Sequence, residues 1–324
     1  MATVFWTGAT GFFGKALLRR VSVSGQVGGD VPTLHLLSRD PSSFTTKHPG
    51  LANQRGVVWH RGDVLSLGCG PVEGITHVVH AAADSTHGDR LSAVERYDQI
   101  INGTRNMLDF AVASRAKRFL LTSSGGVYGR QPAHLERIPE DYMGMPDPMS
   151  SANAYGVAKR AAEHLCALYA ERHGLEIIVA RCFAFVGQDL PLDVHFAIGN
   201  FIRDALWGDE IVVQGDGTAV RSYMDQRDLA DWLMTLLMHG KSGEAYNVGS
   251  DRAISIADLA YLVRDVVSPG KPVRILGKAV GNAERNRYVP DIGKAERDLG
   301  LKCRYGLEEA IGEAAESIVK LEKP

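Results

Sequence analysis

Short apolar runs alternate with longer amphipathic stretches through the first two thirds of the chain. The runs TVFW (3–6), TLHLL (33–37), VVWH (57–60), HVVH (77–80), RFLLT (118–122) and EIIVA (176–180) have the length and composition of strands buried on both faces. Between them lie helix-length segments at 12–23, 90–113 and 151–173. In the last, Tyr155, Ala158, Ala162, Leu165 and Tyr169 recur at spacings of three and four, as one face of a helix requires. This alternation predicts an α/β fold built on a doubly wound parallel sheet. Beyond residue 181 the pattern loosens: it predicts helices near 195–207, 227–239, 256–267 and 306–321, and strands at 210–214 and 245–248. The chain thus divides into a sheet domain over 1–180 and a smaller C-terminal lobe over 181–324, with later segments expected to return to the first sheet.

Composition narrows the picture by exclusion. The 324 residues carry 36 basic and 38 acidic side chains, a formal net charge of -2, so no global field attracts nucleic acid or an anionic membrane. Any anionic partner must be met by a local site. The four cysteines show no C-x-x-C spacing, which argues against a metal site and a disulfide framework. No 18-residue apolar run and no basic leader precede the first strand-like run. The expectation is a soluble cytoplasmic protein with reduced thiols.

The first strand-helix junction reads TGATGFFG, with Gly8, Gly11 and Gly14 around Phe12 and Phe13. Glycines there permit a tight turn and let backbone N–H groups approach a pyrophosphate at a helix N-terminus. The G-x-x-G-x-x-G spacing differs from the common dinucleotide fingerprint, but its position supports a Rossmann-like domain holding NADP or NAD. At the end of the second strand stand Arg39, suited to a 2′-phosphate, and Asp40, suited to a 2′-hydroxyl; the pair favours NADP slightly, with solvated loop charges as the alternative. Asp63, followed by Val64, is a candidate for the adenine amino group, and equally an ordinary turn acid.

Tyr155 and Lys159 stand four apart on one helix face. An ammonium beside a phenol lowers its pKa from about 10 and makes it a usable base. A serine at the end of the strand before it, in TSSGGVYG (122–129), would orient a substrate hydroxyl.

Taken together, TGATGFFG, GDV, HAAA, TSSGGVYG, YGVAK, VRSYMDQRDLA, AYNVG and YVPDIGKAERDLG resemble the extended short-chain dehydrogenase/reductases, in their nucleotide-sugar epimerase/dehydratase branch. The resemblance implies a Rossmann domain with NAD(P), a lobe for a nucleoside-diphosphate sugar, and a homodimer pairing through the helices near 90–113 and 151–173. By position, Tyr155 is the implied general base and Lys159 its partner and a ribose ligand. Ser124 is the hydroxyl facing the reacting sugar oxygen, and Ser123 is cofactor-side or structural. Ala81 and Ala82 in HAAA would run beside the cofactor. Asn102 falls where the family often keeps a helix asparagine, a structural role being the alternative. Asn200 and Arg221 resemble the residues that hold the diphosphate, with Arg287 a further candidate and Arg285 its competitor.

Two departures bear on the reaction. Ala184 stands where the family often has asparagine. Gly125 and Gly126 replace the Asp-Glu pair of sugar 4,6-dehydratases, from which the sequence argues against elimination of water. The resulting expectation is a C4-epimerase working through a transient 4-keto sugar, with an NADPH-dependent 4-ketoreductase as the alternative. A catalytically silent NADP-sensing regulator is the third reading, which the joint presence of Ser124, Tyr155 and Lys159 disfavours.

Overall fold

The computed structural model describes residues 2–26, 32–83, 91–194, 196–278 and 286–322. Six apolar runs form β1 (Thr3–Thr7), β2 (Thr33–Ser38), β3 (Val57–Arg61), β4 (His77–His80), β5 (Arg118–Ser124) and β6 (Glu176–Cys182). With the strand Glu244–Val248 they make one seven-stranded sheet, in the order Glu244–Val248, β6, β5, β4, β1, β2, β3. Pairing is parallel from β3 across to β6, with Trp6 opposite Leu36 on one side and Val79 on the other. The chain winds outward from β1 to β3 and then returns to build β4, β5 and β6 on the other side. The reversal between β1 and β4 is the crevice where open α/β sheets take their ligands.

The helices α1 (Phe12–Gln26), α2 (Pro41–Lys47), α3 (Pro49–Ala52), α4 (Ala93–Ala113) and α5 (Ala154–His173) connect these strands. Helix α4 begins with a capping box, in which Ser92 and Glu95 each bond the other's backbone N–H. Gly174, at φ +67°, ends α5. A core of Phe5, Val78, Ile100, Met107, Phe119, Ala158, Ala162 and Leu165 is buried between the sheet and α4 and α5. Helix α5 opens three residues later than the periodicity suggests, after a 3-10 turn over Ser151–Asn153. No helix of the described residues is long and apolar enough to cross a membrane.

The chain forms two compact units whose bounds interleave. One comprises Met1–Gly129, Met145–Cys182 and Ala230–Tyr246; the other comprises Arg130–Gly144, Phe183–Leu229 and Asn247–Pro324. The second unit therefore draws residues 130–144 from before the sequence boundary at 180. Gln131 accepts the Val289 N–H at 3.0 Å, and the Asn247 amide donates to the Ile138 and Asp291 carbonyls at 2.8 and 2.9 Å. These long-range bonds satisfy buried backbone groups that no local pattern announces. The rest of this unit holds the helix Ala197–Trp207 and a three-stranded sheet with Val220–Arg221 between Ile254–Ser255 and Arg287–Tyr288.

A Cβ on Gly14 would lie 2.2–2.3 Å from three Ala9 backbone atoms, so the first turn of α1 closes on its own loop. Gly14→Ala should destabilise the protein by about 1–3 kcal/mol, read as a lower urea midpoint. His80, 3% exposed, is held neutral by burial, reinforced by the Lys159 charge, which pushes it down to about 3. Its unfolded value is about 6.5, so the folded state binds fewer protons between these limits. That stability is full above pH 6.5 and is lost as pH falls toward 3. His80→Asn should flatten the fall in unfolding free energy between pH 7 and pH 5 by about 2 kcal/mol.

Candidate active site

The loop after β1 and the loop after β4 meet backbone to backbone. Gly8 takes φ +77°, and a Cβ on it would lie 2.8 Å from the Ala81 carbonyl atoms and 2.9 Å from the Ala82 nitrogen. Only glycine permits both the angle and the approach. The Gly11 N–H donates to the Gly8 carbonyl at 3.1 Å, and Phe12 and Phe13 open α1 directly after it. The structure thus brings Gly8, Gly11, Gly14, Ala81 and Ala82 together at a helix N-terminus, a cradle suited to a dinucleotide pyrophosphate. Beneath it the Thr7 hydroxyl accepts the Ala81 and Ala82 N–H groups at 3.2 Å each and lies 2.9 Å from His80 Nδ1. With its acceptor positions used, Thr7 donates to Nδ1, which leaves the His80 proton on Nε2.

At the far end of β2, Arg39 is exposed and its Nε lies 3.8 Å from an Asp63 carboxylate oxygen. The other Asp63 oxygen accepts the Leu65 N–H at 2.9 Å. Asp40 instead caps α2, accepting from the Ser42 hydroxyl at 2.7 Å and the Ser43 N–H at 3.0 Å. These bonds hold its carboxyl below the usual range. Val64 packs on Gly103 of α4, where a Cβ would come within 3.0 Å of it. Asn102 is exposed, while Asn106, one turn onward, donates to the Val64 and Leu65 carbonyls at 2.9 and 3.2 Å. Asn106 lies beside the buried Gly103–Met107 face of α4, a position whose only signal in the sequence is the helical period.

Ser124 ends β5, in register with Cys182 of β6. Its hydroxyl accepts the Gly126 N–H at 3.1 Å and is hydrogen-bonded to the Tyr155 phenol in the first turn of α5. Lys159, one turn later, is 3% exposed. Its Nζ donates to the Thr122 carbonyl at 2.8 Å and lies 5.8 Å from the centre of the Tyr155 ring. Burial pushes the Tyr155 phenol up to about 12, with Cys182 adding to the rise and Ser124 and Arg96 opposing it. Burial also brings the Lys159 amine down to about 8, against the pull of Cys182, Glu163 and Cys166. The lysine spacing alone predicts a tyrosine below 10, whereas desolvation is the largest effect on both groups and carries the phenol upward.

Ser123 points elsewhere. Its hydroxyl donates to Glu163 at 2.5 Å, Glu163 pairs with Arg181 at 2.8 Å, and Arg181 donates to the Tyr128 hydroxyl at 2.9 Å. This largely buried ion pair ties α5 to β6. Gly126 forms part of a 3-10 turn, and a Cβ on Gly156 would lie 2.6 Å from its carbonyl oxygen. Helix α5 is therefore seated against the turn that follows Ser124.

In the other unit Arg221 and Arg287 lie on neighbouring parallel strands, with Arg287 opposite Val220 and Arg221 opposite Tyr288. Arg221 donates to the Val220 and Asn286 carbonyls at 2.8 and 2.9 Å, and burial lowers its pKa. Arg287 reaches the Glu136 carbonyl at 3.4 Å. Two guanidinium groups at one sheet suit an anion. Asn200 stands on the helix Ala197–Trp207, with its side-chain oxygen buried and lacking a hydrogen-bond partner. Arg285 lies outside the described residues. At Ala184 the backbone carbonyl accepts the Met224 N–H at 3.0 Å.

The chain is 34% identical to UDP-glucuronic acid decarboxylase 5 of Arabidopsis thaliana over 209 residues, 64% of this chain and 60% of that protein. The match thus spans less than two thirds of the relative's length. A UDP-glucuronic acid 4-epimerase from Bacillus cereus, solved with UDP-glucuronic acid and NAD, shares the fold at a TM-score of 0.80 and 21% identity, covering 98% of this chain and 99% of that one. So does a dTDP-glucose 4,6-dehydratase from Streptomyces venezuelae solved with NAD, at a TM-score of 0.80 and 22% identity, covering 98% and 97%. The exclusion of dehydratase chemistry drawn from Gly125 and Gly126 does not stand against these likenesses. Glycines at two positions of one turn remove two side chains, without restricting acid or base groups elsewhere. The model of the NAD dependent epimerase/dehydratase family matches residues 4–249, and the chain belongs to that family.

Proposed function

We propose that this protein is a C4-epimerase of a nucleoside-diphosphate hexose or 6-deoxyhexose, acting through transient oxidation to the 4-keto sugar. The observation that carries the reading is the placing of Lys159 Nζ 5.8 Å from the centre of the Tyr155 ring, one turn away on the same helix, with the Ser124 hydroxyl acting on the same phenol. Ser124 would hold the C4 oxygen and Tyr155, as phenolate, would take its proton. Lys159, whose amine falls to about 8, is mostly charged at neutrality and stabilises that phenolate. The position of Tyr155 at the positive end of α5 acts in the same sense. NAD or NADP, when bound, supplies the acceptor and later the donor of hydride at C4. Gly8, Gly11, Phe12, Phe13, Gly14, Ala81 and Ala82 would line its pyrophosphate side. Arg39, Asp63 and Val64 would line the adenosine end, and Tyr155 and Lys159 the reacting end. Arg221, Arg287 and Asn200 would hold the sugar diphosphate.

Exposed Arg39 favours NADP and supports a second reading, a 4-ketoreductase in which Tyr155 returns a proton while external NADPH is consumed. Oxidation at C4 is also the chemistry from which other outcomes branch. In a uronate it makes the carboxyl group a β-keto acid, ready to lose carbon dioxide, and in a hexose it acidifies the C5 proton. The proposed setting is a cytoplasmic homodimer through α4 and α5, whose Val94, Tyr97 and Leu168 are exposed.

Tyr155→Phe should lower kcat/KM by about 10²–10⁴ with an unchanged urea midpoint; undiminished turnover refutes the site. Protein as purified, given UDP-glucuronic acid or a neutral UDP-hexose without added cofactor, should yield the C4 epimer. Stoichiometric NADPH consumption would favour the reductase, and release of carbon dioxide or water would replace both. Sedimentation should show a dimer that Leu168→Glu dissociates.

A further inference from the structure

Helices α4 and α5 both run antiparallel to the strands they connect, because β4, β5 and β6 are parallel. They therefore run parallel to each other, and their mutual register is set by the Tyr169 hydroxyl, which donates to Asp109 at 2.6 Å. Arg96 precedes Asp109 by thirteen residues and Tyr155 precedes Tyr169 by fourteen, roughly 20 Å of helix on each side. Arg96 also lies one turn before Ile100, on the stripe of α4 that continues through the buried Gly103, Thr104 and Met107. Both counts bring Arg96 alongside the first turn of α5, where Tyr155 stands, and its positive charge acts on the Tyr155 phenol.

We propose that Arg96 is a second cation serving the Tyr155 hydroxyl, reaching it from α4 while Lys159 reaches it from α5, and that it sets how readily this hydroxyl releases its proton. The inference rests on Tyr155 being the acid-base group. Arg96 is a positioning residue, because it acts through Tyr155. The groups facing Tyr155 differ in what each contributes. From β5, Ser124 supplies a hydrogen bond but no charge. From β6, the Cys182 thiol is pushed up to about 12 by burial and is neutral at working pH. From α5, Lys159 is drawn down to about 8 and loses its charge as pH rises past that value. Lys159 acts in turn on His80 of β4, which burial and that charge keep neutral above about pH 3. A guanidinium is in general a permanent cation, whereas the Lys159 charge is lost above about pH 8.

The direct test replaces Tyr155 by difluorotyrosine, whose phenol is more acidic, in the full-length protein and follows its titration by fluorine NMR. Arg96→Leu should move the midpoint up by about one pH unit, a tenfold loss of phenolate at fixed pH. Arg96→Lys should restore most of it. Arg96→Gln, neutral but polar, should behave like Arg96→Leu and covers the case in which leucine disturbs folding. In turnover the rising limb of kcat/KM against pH should shift by the same amount. A midpoint unmoved in both neutral variants overturns the proposal. A shifted midpoint in a protein that turns over no nucleotide sugar leaves the Arg96 assignment standing and refutes the functional reading instead.

Discussion

The contact between Gly8 and the Ala81–Ala82 backbone is the constraint on which the site rests. It brings the ends of β1 and β4 close enough for the Thr7 hydroxyl to hold both alanine N–H groups and His80. The His80 carbonyl in turn accepts the Thr122 hydroxyl at 3.1 Å, and the Thr122 carbonyl accepts Lys159 at 2.8 Å. A continuous set of buried bonds thus runs from the loop after β4 across β1, β4 and β5 to the lysine beside Tyr155. Moving one strand end by an ångström would break several of these bonds at once, and an unsatisfied buried polar group costs more than its bond contributes. The same bonds require a neutral imidazole next to a buried ammonium, so geometry and charge are settled by one packing arrangement.

Burial is the dominant electrostatic effect around Tyr155. It raises the phenol and lowers the amine together, so a simple ammonium-phenolate picture does not describe the site. What favours phenolate is a set of smaller contributions: the Ser124 hydroxyl and the Arg96 charge, with the α5 dipole acting in the same sense. Such a site is sensitive to changes in desolvation, because desolvation is its largest contribution.

Much of this was legible in the chain. Six strands announced themselves as short apolar runs, and the Tyr155–Lys159 spacing placed both residues on one face of a helix. Local chemistry misled where one residue had two uses: Asp40 reads as a ribose acid and serves as the cap of α2. Long-range partners left no local trace. Ser123 is tied to Glu163, forty positions away, and Gln131 binds the Val289 backbone, which is why residues 130–144 fall in the second unit. Gly125 and Gly126 do not decide the reaction class for another reason: a missing pair of side chains describes two positions, whereas the class depends on every acid and base that reaches the sugar.

The central claim, that C4 is oxidised and reduced again at Tyr155, is tested most directly with a nucleoside-diphosphate hexose deuterated at C4 and turned over in ordinary water. The account predicts slower turnover than with the protium sugar and an epimeric product that keeps its deuterium at C4. Product carrying solvent hydrogen at C4, or a rate indifferent to the label together with inversion at another carbon, would contradict it.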